Sequence, residues 1–398
     1  MLSREEQISA YQSGLDVISM FSSFNPIPTM ESVAIYMSVV VFCVIGTLVI
    51  PGKWVPGAAL KDGSRVQYKT NGLLVTLAAV GIYGVMCFYG FEINGQPIYT
   101  AICGSFGSLL SVSLIFSVLM TTFLYLRGAF FIPQKEQNFL YPRWNIVMNF
   151  WCGVELNPHF FGFEIKEFSY RPAFAMMGVL NLSYMFEQFR LYGAVSPNLA
   201  TFQAINFFYL VDAFVFEYGL IYMFDIIEEN FGFMLVFGDY MWMPFVFTLQ
   251  NLYLINDFSY NPVQTIANIA ICIVGYIIFR GANNQKFVFR QDPSKVWLGL
   301  VEPKVLETAR KDRKLLISGF WGMARKINYL GDILIAISQS LPCLNCGGYL
   351  LPWLYPIYLT ILLLHRAMRD NERCKEKYGK FWDEYCNKVR YVMIPGIY

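Results

Sequence analysis

The chain has 398 residues, of which 56% are hydrophobic, 18% aromatic and only 15% charged, and its formal net charge is +2. These proportions lie well outside the soluble average, and so small a net charge, with no RNA- or DNA-binding signature, speaks against a nucleic-acid partner. The expected class is an all-α polytopic membrane protein, one domain over 1–398 built as a bundle of about ten transmembrane helices.

Met1 to Thr29 carries Glu5 and Glu6 and has neither a basic start nor a cleavage pattern, so the first apolar run is expected to act as a signal anchor. Long apolar runs follow at roughly 33–50, 72–91, 103–126, 173–186, 202–224, 232–255, 263–279, 329–342 and 348–364. Most approach the length of a spanning helix, whereas a shorter run near 315–324 is expected at the interface or lining a pocket. Residues 51–71, PGKWVPGAALKDGSRVQYKTN, form a polar loop punctuated by Pro and Gly. The segment around Glu155, Asn157 and His159 either packs under the bundle or contacts a ligand.

The run 202–224 holds Asp212 and Glu217. A carboxylate at membrane depth costs about 2.5 kcal/mol or more, so each is expected to face a partner or an aqueous cavity. In FGFMLVFGDYMWMPFVFTLQ, a regular helix puts Asp239, Trp242, Met243, Val246 and Gln250 on one face, and Pro244 kinks it and frees a carbonyl. Such a seam suits either an amphiphilic lipid or helix packing. The nine cysteines form no framework, and Cys343 and Cys346, a C-x-x-C without a second pair, read as structural or incidental.

Positive charge is concentrated: residues 281–314 and the tail from His365 hold eight Lys/Arg each, 16 of the 30. The positive-inside rule puts both segments on the cytosolic side, with two crossings, 329–342 and 348–364, between them. Lys286 and Arg290 are i, i+4 neighbours on a helix, suited to a phosphate or to anionic lipid. In the tail, Arg366, Asp370, Arg373 and Lys377 share one helical face, and Tyr378, Phe381, Trp382 and Tyr385 a second. With His159 and His365 as the two histidines, a multi-histidine di-iron site is not available. No G-x-G-x-x-G follows a strand, and no G-x-x-x-x-G-K-[ST] is present.

The tail HRAMRDNERCKEKYGKFWDEYCNKVRYVMIPGIY resembles the carboxyl-terminal signature of the membrane sterol reductases, the family of sterol C-14, C-7 and C-24(28) reductases and the lamin B receptor. The blocks NNQKFVFR, LLISGFWGMARKINYLGD and FGFMLVFGDYMWMPFVFTLQ fit the same family, and the DGSR loop is most similar to its C-14 reductase and lamin B receptor branch. The large basic arm of the lamin B receptor is not expected here, because a span begins near residue 33.

The resemblance implies NADPH-dependent reduction of the C-14(15) double bond of a sterol intermediate, by alkene protonation and then hydride transfer. It implies a cytosolic-side cofactor pocket in the C-terminal part, 280–398, made by Lys286, Arg290, Leu316, Trp321, Asn328, Tyr329, Asp370, Cys374, Lys375, Glu376, Lys377, Tyr378 and Tyr385. Lysine and arginine neutralise phosphate, Trp321 or Tyr329 stacks on a ring, and Asn328 offers a donor and an acceptor to a carboxamide or ribose. An isolated alkene has no carbonyl to polarise it, so an acid must protonate it first. The candidates are Asp212, Glu217, Asp239, Tyr240 and the Arg366/Asp370 pair, with Trp242, Gln250 and Glu217 as sterol contacts. No metal is expected. The implied partners are a sterol, membrane lipid and other enzymes of sterol biosynthesis, in a multi-pass protein of the endoplasmic reticulum membrane with a cytosolic tail. Alternatives are a C-7 or C-24(28) reductase, a methyltransferase of the isoprenylcysteine type, whose tail is similar, and a non-catalytic lipid-binding membrane protein.

Overall fold

Short polar residues just before apolar runs cap several helices in this chain, among them Thr29, Ser196 and Asn261. The computed structural model describes residues 25–59, 64–160, 162–309, 314–346 and 350–398. Outside them lie most of the N-terminal segment, Asp62 and Gly63 of the DGSR loop, 310–313 of the basic segment and the Gly348 start of the last apolar run. Two compact units divide the chain, Met1–Phe258 and Ser259–Tyr398.

In the first unit, helix α1 (Met30–Val49) opens with a reciprocal cap: Ser32 N donates to Thr29 Oγ1 at 3.1 Å and Thr29 N to Ser32 Oγ at 3.0 Å. An antiparallel hairpin of β1 (Lys53–Ala59) and β2 (Arg65–Thr70) follows, pairing Lys53 with Thr70 and Val55 with Tyr68. Next come α2 (Gly72–Phe88), α3 (Phe106–Phe130), α4 (Tyr170–Tyr192) and α5 (Pro197–Val215). α4 is buried on every side, from Arg171 to Gln188, which is why its sequence shows no helical alternation. At Gly178 an added Cβ would lie 2.5 Å from Val80 Cγ2, so a small residue is what lets α2 approach. An amide network joins α4, α5 and the short helix Gln250–Leu254. Asn181 Nδ2 donates to Asn206 Oδ1 (2.9 Å), Gln203 Nε2 to Asn251 Oδ1 (2.8 Å) and Asn251 Nδ2 to Asn181 Oδ1 (2.8 Å).

The second unit begins with α6 (Pro262–Gln291), capped by Asn261 Oδ1 on Val263 N and Gln264 N, with Pro262 at the first turn. α7 (Ile327–Ser340) packs along it at two glycines: a Cβ on Gly331 would sit 2.4 Å from Phe279 N, and one on Gly275 2.9 Å from Gly331 O. α8 (Leu354–Tyr378) and α9 (Lys380–Lys388) are separated by Gly379, whose φ of 54° suits a residue without Cβ.

Among the described residues, four helices are long and apolar enough to cross a membrane: Met30–Val49, Phe106–Phe130, Pro262–Gln291 and Ile327–Asn345. The apolar residues Val263, Ile266, Ile273, Val274 and Ile277 are exposed along α6, as a lipid-facing surface requires. The runs 202–224 and 232–255 are not continuous helices. The first breaks after Val215 into Glu217–Leu220 and Phe224–Ile227, and the second into Phe233–Phe237, a π turn at Gly238–Trp242, Met243–Val246 and Gln250–Leu254. The all-α expectation is corrected to mostly helical, since the described residues also form two-stranded hairpins, among them Leu315–Leu316 against Val305–Leu306. As expected, 315–324 does not cross: it is that strand followed by one turn, Phe320–Met323.

Arg171, 1% exposed, organises the polar interior of the first unit. Its Nη1 donates to Glu167 Oε2 at 2.7 Å, and its Nη2 to Glu217 Oε1 at 3.1 Å and to Lys69 O at 2.6 Å. Glu217 also accepts from Gly72 N at 2.9 Å, placing negative charge at the N-terminus of α2. Removing one partner of such a buried set leaves uncompensated charge, so Arg171→Met should destabilise by about 3–5 kcal/mol. A thermal melt in detergent checks this, and an unchanged midpoint would contradict it.

Candidate functional site

The charged residues of the C-terminal unit converge where α6, α7 and α8 present their polar ends. The i, i+4 spacing of Lys286 and Arg290 falls within α6, as expected. Lys286 Nζ lies 3.9 Å from the centre of the Trp321 ring, a cation–π distance. Trp321 is held there because its Nε1 donates to Ala282 O at 2.8 Å, one helical turn back on α6. Gln285 fixes the loop that carries Trp321: its Nε2 donates to Ser318 O (3.1 Å) and its Oε1 accepts from Phe320 N (3.0 Å). Leu316 is buried in the same cluster as Trp321.

Lys326 forms a short ion pair with Asp370, and its Nζ lies 5.8 Å from the Tyr329 ring centre. Cys374, one turn along α8, donates its thiol to Asp370 Oδ2 at 3.7 Å. Lys286 lies within electrostatic reach of Arg290, Lys326, Asp370 and Cys374. Three cations, Lys286, Arg290 and Lys326, thus share one region with the Asp370 carboxylate. Asn328 Nδ2 donates to Asn283 Oδ1 at 3.3 Å, while its Oδ1 is buried with no hydrogen-bond partner.

Burial by itself raises the Asp370 carboxyl, but the adjacent Lys326, with Lys286 and the Cys374 thiol, outweighs it and holds the group below the usual carboxylate range. Burial, and then the Asp370 charge, push the Cys374 thiol up to about 11. Beyond it, the Tyr378, Trp382 and Tyr385 rings stack at centroid separations of 6.3 and 5.0 Å, across the break at Gly379. They belong to a cluster with Leu306, Val389 and Cys374. The one-face pattern expected for Tyr378 to Tyr385 is therefore a stack across two helices, made possible by the positive φ of Gly379.

Lys375, Glu376 and Lys377 are exposed on α8, with Lys377 Nζ 5.2 Å from the Tyr378 ring centre. Arg366 joins Arg280 in acting on the carboxylate of Asp332. The sequence reading missed Lys326, although it stands two residues before Asn328 in a block singled out for other reasons. Its importance depends on reaching Asp370, 44 residues away, which no local pattern shows.

In the first unit the expected helical face of Asp239, Trp242, Met243, Val246 and Gln250 is interrupted, because the π turn at Gly238–Trp242 and the break after Val246 change the register. Pro244 does free a carbonyl: it lacks the N–H that Tyr240 O would accept, and Tyr36 Oη donates there instead at 3.0 Å. Asp239 Oδ2 lies 2.5 Å from Ser169 Oγ. Tyr240, Gln250 and Asp212 are buried, and Trp242 is half-buried. Glu217 is engaged by Arg171 and Gly72. Glu155 pairs with Arg127, and His159 is exposed with Nδ1 2.8 Å from Asn157 O, a loop packed on its own groups.

The fold and this charge arrangement define a multi-pass integral membrane protein with a cationic site beside aromatic rings. Residues 2–398 match the family described as the Ergosterol biosynthesis ERG4/ERG24 family. The Delta(14)-sterol reductase of Arabidopsis thaliana is 36% identical over 375 residues, covering 94% of this chain and 97% of that protein. The Delta(14)-sterol reductase of Methylotuvimicrobium alcaliphilum is 37% identical over 353 residues, 87% of this chain and 79% of that protein. The 7-dehydrocholesterol reductase of Danio rerio is 33% identical over 411 residues, 96% and 83% respectively. This chain belongs to the ERG4/ERG24 family and is a sterol reductase.

The pH dependence of the Lys326–Asp370 pair follows from the depressed carboxyl. Its contribution to stability is fully present above the unfolded value of about 3.9 and is lost as pH falls through the lower folded value. Asp370→Asn should therefore lower the melting temperature near neutrality and flatten its acid-side decline. Wild-type and variant melts that stay parallel from neutral to acid pH would contradict this.

Proposed function

We propose that this sterol reductase saturates the C-14(15) double bond of a sterol intermediate, using NADPH. The observation that carries the cofactor assignment is the gathering of positive charge, with Lys286 close to Arg290 and Lys326, and Asp370 paired with Lys326. An anionic ligand relieves the repulsion among them. Arg290, exposed at the end of α6, offers its guanidinium fork to a phosphate, and Lys286 and Lys326 supply point charges. The partnerless Oδ1 of Asn328 suits a carboxamide donor, and Trp321 and Tyr329 offer ring faces. NADPH bound there supplies the hydride. In this reading Leu316, Cys374, Tyr378 and Tyr385 shape the wall, and Lys375, Glu376 and Lys377 border it.

The proton must come from a group that carries one. Asp370 pairs with Lys326 and Glu217 with Arg171, and these pairings favour a donor elsewhere. We assign the role to Asp239, with the Tyr240 phenol beside it, and keep Arg366 as a positioning group for the cofactor region. Trp242 and Gln250 remain the proposed sterol contacts. The shorter and broken helices complete about ten crossings, and the tail faces the cytosol from the endoplasmic reticulum membrane. The relatives named Delta(14)-sterol reductase favour the C-14(15) bond. The relative named 7-dehydrocholesterol reductase supports a C-7 reductase as the second reading.

Purified protein in detergent is expected to consume NADPH with a delta-8,14-sterol. Consumption only with a delta-7 or delta-24(28) substrate would reject the assignment. Alanine at Lys286 or Arg290 should weaken NADPH about tenfold or more, equivalent to about 1.4 kcal/mol, and leave NADH nearly unchanged. An equal loss for both cofactors would remove the 2′-phosphate role.

A further inference from the structure

Ser169 has one hydroxyl proton and two close oxygen neighbours. Its Oγ lies 2.7 Å from Lys166 O and 2.5 Å from Asp239 Oδ2. The distances alone do not decide which oxygen receives the proton, since 2.5 Å also suits a hydroxyl donating to a carboxylate. The second neighbour does decide it. A backbone carbonyl only accepts, so if Oγ–H serves Lys166 O, the contact with Asp239 is a hydrogen bond only when Asp239 brings the proton.

The local fold commits the serine proton to Lys166 O. A serine bonding back to the carbonyl three residues earlier is a standard helical arrangement, and here that carbonyl cannot turn away. Lys166 Nζ is tied to Ile226 O and to Glu229 O, both at 2.8 Å. The short helix Ile165–Phe168 is capped by Glu164 Oε2 on Glu167 N at 2.6 Å, and Ser169 N donates to Ile165 O at 2.9 Å. Ser169 is 0% and Lys166 1% exposed, so water does not compete for either group. Of the charged groups facing Asp239, Asp225 and Glu164 disfavour a further negative charge. Lys166 opposes them, with its ammonium already engaged by two carbonyls. The Tyr240 phenol, neutral in its ordinary form, completes the surroundings.

We propose that Ser169 is a positioning residue that donates its only proton to Lys166 O and accepts the proton of Asp239, so that Asp239 stands as a neutral carboxylic acid at neutral pH. This deepens the assignment of Asp239 as the proton donor and takes its catalytic meaning from that reading. In the transfer, the Asp239 O–H bond breaks and leaves its electron pair on the carboxylate. The alkene π pair forms the new C–H bond, leaving a carbocation that the hydride supplied by NADPH would quench, and Ser169 keeps its own proton. A proton from the medium restores Asp239 before the next turnover.

The test needs neither sterol nor cofactor. Infrared spectra of the full chain in detergent at neutral pH, wild type minus Asp239→Asn, should show the carbonyl stretch of a protonated carboxylic acid. Isotope-labelled aspartate should shift that band, which keeps the wild-type measurement readable if a variant fails to fold. Ser169→Ala should move the band to higher frequency as its hydrogen bond is lost, and Ser169→Thr should restore it. A carboxylate signature in place of the acid band, or a band unmoved in Ser169→Ala, would overturn the proposal. An acid band in a protein that reduces no sterol would leave the protonation state standing and refute the catalytic reading alone.

Discussion

A charge taken out of water must be answered by the protein around it, and the two units of this chain answer in opposite ways. In the first, Arg171 meets two carboxylates and a backbone carbonyl, and Glu217 meets a helix N-terminus as well. That set is closed. In the second, Lys326 takes the Asp370 carboxylate, while Lys286 rests on the Trp321 ring and Arg290 stays exposed nearby. In the proposed reading this cluster is what would give a helical membrane fold a place for a phosphorylated cofactor without a strand-and-glycine nucleotide motif.

What could be read from the sequence was whatever depends on local spacing. Lys286 and Arg290 share a helix because the period of the surrounding residues is helical, and the Pro244 carbonyl is freed because proline has no N–H to offer it. The run 315–324 was recognisable as too short to cross. Features that depend on distant partners were not recoverable. Lys326 gains its role from Asp370 across 44 residues, and Ser169 from Asp239 across 70. The face expected from Asp239 to Gln250 assumed a regular helix, and the π turn at Gly238–Trp242 removes that register. Nor did hydropathy show that α4 is enclosed by protein, with Arg171, Asn181 and Glu187 in its interior.

The same contrast bears on specificity. The family match runs over residues 2–398, and the relatives carry different sterol names. In the proposed reading, the choice between C-14 and C-7 reduction would fall to the proposed sterol contacts Trp242 and Gln250, on the broken helix of the first unit.

The account rests on the cationic cluster receiving a reduced dinucleotide, and calorimetric titration of the detergent-solubilised chain addresses that directly. NADPH should bind with one-to-one stoichiometry, with affinity falling as salt is added, and S-adenosylmethionine should give no heat of binding. Saturable binding of S-adenosylmethionine with none of NADPH would contradict it and point to methyl transfer, and binding of neither would leave a lipid-binding protein without reductase chemistry.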